Sequence, residues 1–171
     1  MNRLQEKYNK TYGHDMKAPR IKKVVVNVGV GRIGIAKDTK MLERIEADLG
    51  KITGQKPAVR KAKKSIAGFK LRQGVPVGYM VTLRGTRMYD FIDRLISIAL
   101  PRSRDFQGLN VSSFDAAGNL NIGIKEQNIF PEVTYESLRD IFGLEITVVT
   151  TAGSREAGAA LLRGLGFPLK V

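Results

Sequence analysis

The 41 residues from Leu49 to Tyr89 contain no Asp or Glu, yet Lys51, Lys56, Arg60, Lys61, Lys63, Lys64, Lys70, Arg72, Arg84 and Arg87 place ten positive charges among them. A cation enters a core only at large cost unless an anion accompanies it. Elements built from this stretch must therefore keep a face in water or against a polyanion, which argues against a sheet buried on both sides. The imbalance is local: residues 1–100 hold 22 Lys+Arg and 8 Asp+Glu (+14), residues 101–171 hold 7 and 8 (−1), and the whole chain carries +13. A basic face kept for solubility would intersperse acids among its bases. Placement of this kind fits nucleic acid better than it fits a solvated face or an anionic membrane surface.

Other features narrow the class. With 171 residues and 43% hydrophobic content, the chain can fill one core, and a single domain over residues 1–171 is the expectation. The sequence has no Cys, which removes disulfides, thiolate metal sites and cysteine nucleophiles. Its one His, His14, sits beside Asp15 in a polar segment and reads as a surface residue rather than a catalytic one. Arg3, Gln5, Glu6 and Lys7 stand where a signal peptide would need an apolar run, and no apolar stretch is long enough to span a bilayer. The expectation is a soluble, cytoplasmic protein with no cofactor, no metal and no membrane partner.

Strand and helix patterns alternate along the chain. Ile21 to Val28 reads as a strand that ends at Gly29, Gly31 and Gly34. Asp38 is placed to cap a helix bearing Leu42, Ile45 and Leu49, closed by Gly50. Ile66–Arg72 and Val75–Arg84 flank Gln73-Gly74 as a hairpin would, with Val75, Val77, Tyr79, Val81 and Leu83 on a core face and Pro76, Gly78, Met80, Thr82 and Arg84 on an open one. Met88 to Leu100 reads as a core helix stopped by Pro101, and Leu120 to Ile124 as a half-buried strand. A short helix is predicted from Thr134 through Tyr135, Leu138, Ile141 and Phe142 to Gly143. A strand over Leu144–Thr151 and a helix from Ser154 to about Gly164 complete the pattern. Strands with one polar face predict an α+β two-layer sandwich: a largely antiparallel or mixed sheet, helices on one face, and an open face for RNA.

Gly29-Val30-Gly31-Arg32-Ile33-Gly34 matches the dinucleotide-binding spacing and raises the alternative of a nucleotide-dependent enzyme. That mechanism needs a helix N-terminus at the glycines and an acid after the next strand. Here Asp38 puts the helix start several residues later, and the next strand, near Ala58, runs into Arg60, Lys61, Lys63 and Lys64. A glycine-rich turn leaving a strand is the plainer reading. Glu132, Glu136, Asp140 and Glu145 have the spacing of an exposed acidic face, not of a catalytic pair. The segment from Ile52 to Gly74 differs in kind: it supplies cations for phosphates, glycines for close backbone approach, Gln55 for a base edge or ribose, and Phe69 for stacking. An aromatic in a strand more often belongs to a core, but no core reading accounts for so dense a charge. Asn27 and Thr82 are small polar groups suited to ribose hydroxyls on an open sheet face.

Val26-Asn27-Val28-Gly29-Val30-Gly31, Thr53-Gly54-Gln55-Lys56-Pro57, the run from Ser65 to Gly74, Val81-Thr82-Leu83-Arg84-Gly85, Pro101 to Phe106 and Glu126 to Glu132 occur in an order that resembles the bacterial-type large-subunit ribosomal proteins of the universal L-five family. The similarity runs from Pro19 to Phe167, and the segment between Tyr8 and Pro19 is shorter than the family pattern. The resemblance implies a non-enzymatic constituent of the central protuberance that docks a sheet face on 5S rRNA. By the same resemblance Asn27, Gln55, Phe69 and Thr82 are RNA-face residues and Lys70, Arg72, Gln73 and Gly74 form a loop near P-site tRNA, while the charge pattern itself adds Lys56, Arg60, Lys61, Lys63, Lys64 and Arg84 on the rRNA side. It further implies large-subunit rRNA and neighbouring 5S-binding proteins as partners. The acidic C-terminal region and the loop from Asp105 to Gly118 would face a small-subunit head protein across an intersubunit bridge.

Overall fold

The computed structural model describes residues 3–13, 17–104, 106–133 and 141–170. In chain order the elements are α1 (Arg3–Tyr12), β1 (Ile21–Gly29), α2 (Gly31–Ile35), α3 (Thr39–Thr53), β2 (Ala58–Lys61), β3 (Pro76–Leu83), α4 (Gly85–Arg94), α5 (Leu100–Arg102), β4 (Leu120–Ile124), β5 (Leu144–Thr150) and α6 (Arg155–Leu165). The strands form a five-stranded sheet in the order β2-β3-β1-β5-β4. Val24, Val26 and Val28, then Tyr79, Val81 and Leu83, Leu120, Ile122 and Ile124, and Leu144, Ile146 and Val148 are buried. The alternate positions Asn27, Gly78, Met80, Thr82, Asn121, Gly123, Glu145 and Thr147 are half-buried or exposed. This two-residue period is the signature of a sheet with one core face and one open face, as the α+β reading expected.

The chain divides into two compact units; β2 lies within one of them, and the residues of the other four strands fall in both. One comprises Val26–Val81 and Ile124–Glu145. There Asp38 caps α3 by accepting the Met41 N–H at 3.1 Å. The helix passes the expected stop at Gly50 and ends at Gly54, which takes the left-handed conformation. It continues because Ile52 and Thr53 extend the buried stripe and the Thr53 hydroxyl bonds the Leu49 carbonyl at 2.7 Å. The glycine cluster is not a bare turn: α2 begins at Gly31, though it lasts only five residues. Gly34 carries it against the start of β3, where a Cβ would lie 2.0 Å from the Pro76 carbonyl oxygen.

The expected hairpin around Gln73-Gly74 is corrected. β3 lies between β1 and β2, and its pairing with β2 is antiparallel, with Val59 opposite Tyr79 and a register shift between Arg60 and Lys61. Residues 66–72 fold back on themselves through an Ile66–Leu71 bridge and a 3-10 turn at Ala67–Phe69. The segment expected as the first strand of that hairpin has no core to face: Ile66 is 46% exposed and Phe69 71%.

The other unit comprises Met1–Val25, Thr82–Gly123 and Ile146–Val171. Its polar N-terminus forms α1, which buries Leu4 and pairs Arg3 with Asp93 at 2.6 Å. The core helix starts at Gly85 rather than Met88 and buries Phe91, Ile92, Leu95 and Ala99. It reaches Arg102 instead of stopping at Pro101, because a wider π turn over Leu95–Ala99, with the Leu100 N–H on the Leu95 carbonyl, leads into α5. Before β4, Asp115 accepts the N–H groups of Ala117 and Asn119. Ser154 caps α6, which runs to Leu165 and closes on Gly166, close to the expected end. The helix expected over Thr134–Gly143 lies largely outside the described residues, as do His14, Asp15 and Asp105; Ile141, Phe142 and Gly143 are not helical.

Candidate nucleic-acid interface

All ten cations between Leu49 and Tyr89 are exposed. Two lean toward carboxylates of α3: Lys51 lies 3.4 Å from Asp48 and Lys56 lies 3.8 Å from Glu46. The Arg60 guanidinium points across to the Met80 sulfur on β3 at 3.4 Å. Arg60 and Lys61 belong to β2, whose four residues are exposed and which forms one edge of the sheet.

The loop between β2 and β3 carries half of the expected site residues. It brings Lys63, Lys64, Phe69, Lys70, Arg72, Gln73 and Gly74, all exposed, into one hydrogen-bonded unit. Its neck closes where the Ala62 N–H bonds the Val75 carbonyl at 2.8 Å and the Gly74 N–H bonds the Ala62 carbonyl at 3.0 Å. Gly74 needs its positive φ of 87° for that turn, and Lys70 adopts φ of 51°, where a side chain is strained. Phe69 is not part of a core, so its ring is available for stacking.

Other expected residues sit apart from this loop. Asn27 lies on β1, half-buried on the open side between buried Val26 and Val28. Gln55 follows the Gly54 helix stop and is half-buried, its carbonyl receiving the Thr53 hydroxyl at 3.1 Å. Thr82 is on the open side of β3, with exposed Arg84 just beyond it; both belong to the other unit. Lys23 lies on the same side of β1 as Asn27, and Thr147 donates to Asn121 at 2.8 Å on the open sides of β5 and β4. The period-two alternation that placed Thr82 on an open face also carries these three, which were not among the expected site residues.

A cleft of about 420 Å³ is lined by Glu43, Glu46, Ala47, Gly50, Lys56 and Pro57, none of them from the glycine cluster. Burial, and then the nearby carboxylates of Glu46 and Glu43, push the Tyr79 hydroxyl above its ordinary range. Gly34 of the cluster is occupied by packing against Pro76, and α2 is too short to present the aligned amides that a pyrophosphate requires.

Residues 14–72 match the family described as ribosomal protein L5, and residues 76–169 match the C-terminus of that same ribosomal family. The chain is 51% identical over 180 residues to the large ribosomal subunit protein uL5 of Herpetosiphon aurantiacus, an alignment that covers 99% of both proteins. An open-faced sheet, a carboxylate-free basic loop and matches along nearly the whole length converge: the chain belongs to the ribosomal protein L5 family, structural proteins of the large ribosomal subunit rather than enzymes.

Proposed function

We propose that this protein binds 5S rRNA in the central protuberance, with exposed cations on phosphates and the open-side groups Asn27, Gln55 and Thr82 on ribose and base edges. Lys56, Arg60, Lys61, Lys63, Lys64 and Arg84 supply the phosphate contacts, which set affinity without reading sequence. Phe69 offers a stacking surface for an unpaired base. The loop bearing Lys70, Arg72, Gln73 and Gly74 approaches P-site tRNA. Large-subunit rRNA and neighbouring 5S-binding proteins complete the setting, and the loop from Asp105 to Gly118 with the acidic C-terminal region meets a small-subunit head protein.

The observation that carries this reading is the carboxylate-free loop, its cations all exposed, in a chain whose sheet keeps one side open. Asn27→Ala and Thr82→Ala should each reduce the preference for 5S rRNA over bulk RNA, roughly fivefold if each removes one uncharged hydrogen bond of about 1 kcal/mol. Filter binding against both RNAs measures it. Equal losses on the two RNAs would remove these side chains from the specificity role.

A further inference from the structure

The loop between β2 and β3 has a gap in its own backbone ladder. One rung is the neck, where Ala62 meets Gly74 and Val75; the other is the tip, where the Ile66 N–H bonds the Leu71 carbonyl at 2.9 Å and the Leu71 N–H returns to the Ile66 carbonyl at 3.1 Å. Between them, three residues on one limb, Lys63 to Ser65, face two on the other, Arg72 and Gln73. No backbone pair fits that mismatch. The Ser65 hydroxyl spans it by accepting the Gln73 N–H at 3.0 Å. Among the described residues it is the one loop side chain between Lys61 and Pro76 with a hydrogen bond across the loop.

Closure is opposed by charge. Lys63, Lys64, Lys70 and Arg72 share this loop, with Lys61 at its foot, and no carboxylate among them; mutual repulsion favours an open ensemble. The tip also holds Lys70 in the left-handed region, a conformation that persists only where its surroundings fix it. We propose that Ser65 is a positioning residue: it keeps the loop closed before RNA arrives, so that Phe69 and the cations beside it are presented without an ordering cost on binding. The ligand is the ribose, phosphate and base surface of a folded RNA. This rests on the reading that the loop touches RNA, and it adds the side chain that prepares the contact.

The test uses the full-length protein with Ser65→Ala, Ser65→Thr and Phe69→Ala; Ser65 and Phe69 are exposed, so all three should fold. In the free protein, amide exchange at Gln73, Leu71 and Ile66 should speed up in Ser65→Ala and remain slow in Ser65→Thr and Phe69→Ala. Filter binding is run separately with 5S rRNA and with tRNA, so that the RNA meeting the loop identifies itself. If the closed fraction falls to about one tenth, affinity for that RNA falls about tenfold, with recovery in Ser65→Thr. Unchanged exchange in Ser65→Ala overturns the closure. If Phe69→Ala weakens RNA binding and Ser65→Ala does not, the positioning role fails while the RNA reading stands. If neither variant weakens binding to either RNA, the RNA reading of the loop fails, and Ser65's role with it.

Discussion

At the scale of single residues, two glycines three positions apart in one cluster have opposite meanings. Gly31 has nothing within 4 Å of where a Cβ would be, whereas at Gly34 a Cβ would meet the Pro76 carbonyl oxygen at 2.0 Å. Gly34→Ala is expected to destabilise the fold by about 3 kcal/mol through forced displacement of backbone. Gly31→Ala, at the start of a helix with open space around it, should be neutral or stabilising by up to about 0.5 kcal/mol. Thermal melts of the two variants side by side check the contrast. Asp115 offers a pH readout. Backbone and side-chain bonds from Asn119, with the Ala117 N–H adding to them, hold its carboxyl below the ordinary value of 3.8. A carboxyl lowered in the folded state contributes stability above its unfolded value, and that contribution is lost as pH falls through the folded one. Asp115→Asn should therefore melt lower than the parent at neutral pH, with the gap closing as pH falls below 3.8 and the parent's own carboxylate protonates. A gap that is constant with pH would detach Asp115 from the acid response. None of this was readable before folding, since spacing does not say which glycine another backbone will approach.

At the scale of elements, local signals served where the deciding partner lies within a few residues. Asp38 and Ser154 are caps in the sequence and caps in the structure, because a capping side chain bonds an N–H three residues away. Asp38→Ala should cost about 1 kcal/mol and fray the first turn of α3, visible as faster exchange near Met41 with α6 unaffected. The spans of β1 and β5 followed within a residue from their β-branched and apolar composition, and β4 and the two faces of β3 from alternation. The failures have a shared cause. α3 outran Gly50 because tertiary burial of Ile52 and Thr53 outweighed one glycine, and the core helix passed Pro101 by widening a turn ahead of it. Residues 66–72 looked like a strand, but β3 already had a partner in β2. Strand pairing is a long-range choice, and a turn signal between two segments does not reveal it.

For the whole molecule, the relevant quantity is where the charge lies. Residues 1–100 carry +14 and residues 101–171 carry −1, so RNA affinity should depend on the first part and be insensitive to cations in the second. Neutralised phosphates release counterions, with a logarithmic salt slope of about 0.7 to 0.9 for each. Lys63→Glu with Lys64→Glu should lower that slope by about 1.4 to 1.8 for the cognate RNA, whereas Arg155→Glu with Arg163→Glu should leave it nearly unchanged. Binding isotherms across a salt series decide between them, and equal slopes in both double variants would mean that the loop does not meet phosphate. The sequence by itself determined the polyanion-facing class, the one-sided sheet and the family, because charge spacing, two-residue alternation and ordered motifs are properties of the chain read in line. Only the tertiary structure decided that β2 pairs with β3, that Phe69 stands in solvent, that Gly34 belongs to packing and that the Ser65 hydroxyl spans the loop. Each of those depends on groups brought together across intervening chain, where burial and hydrogen-bond geometry, not local propensity, select the outcome.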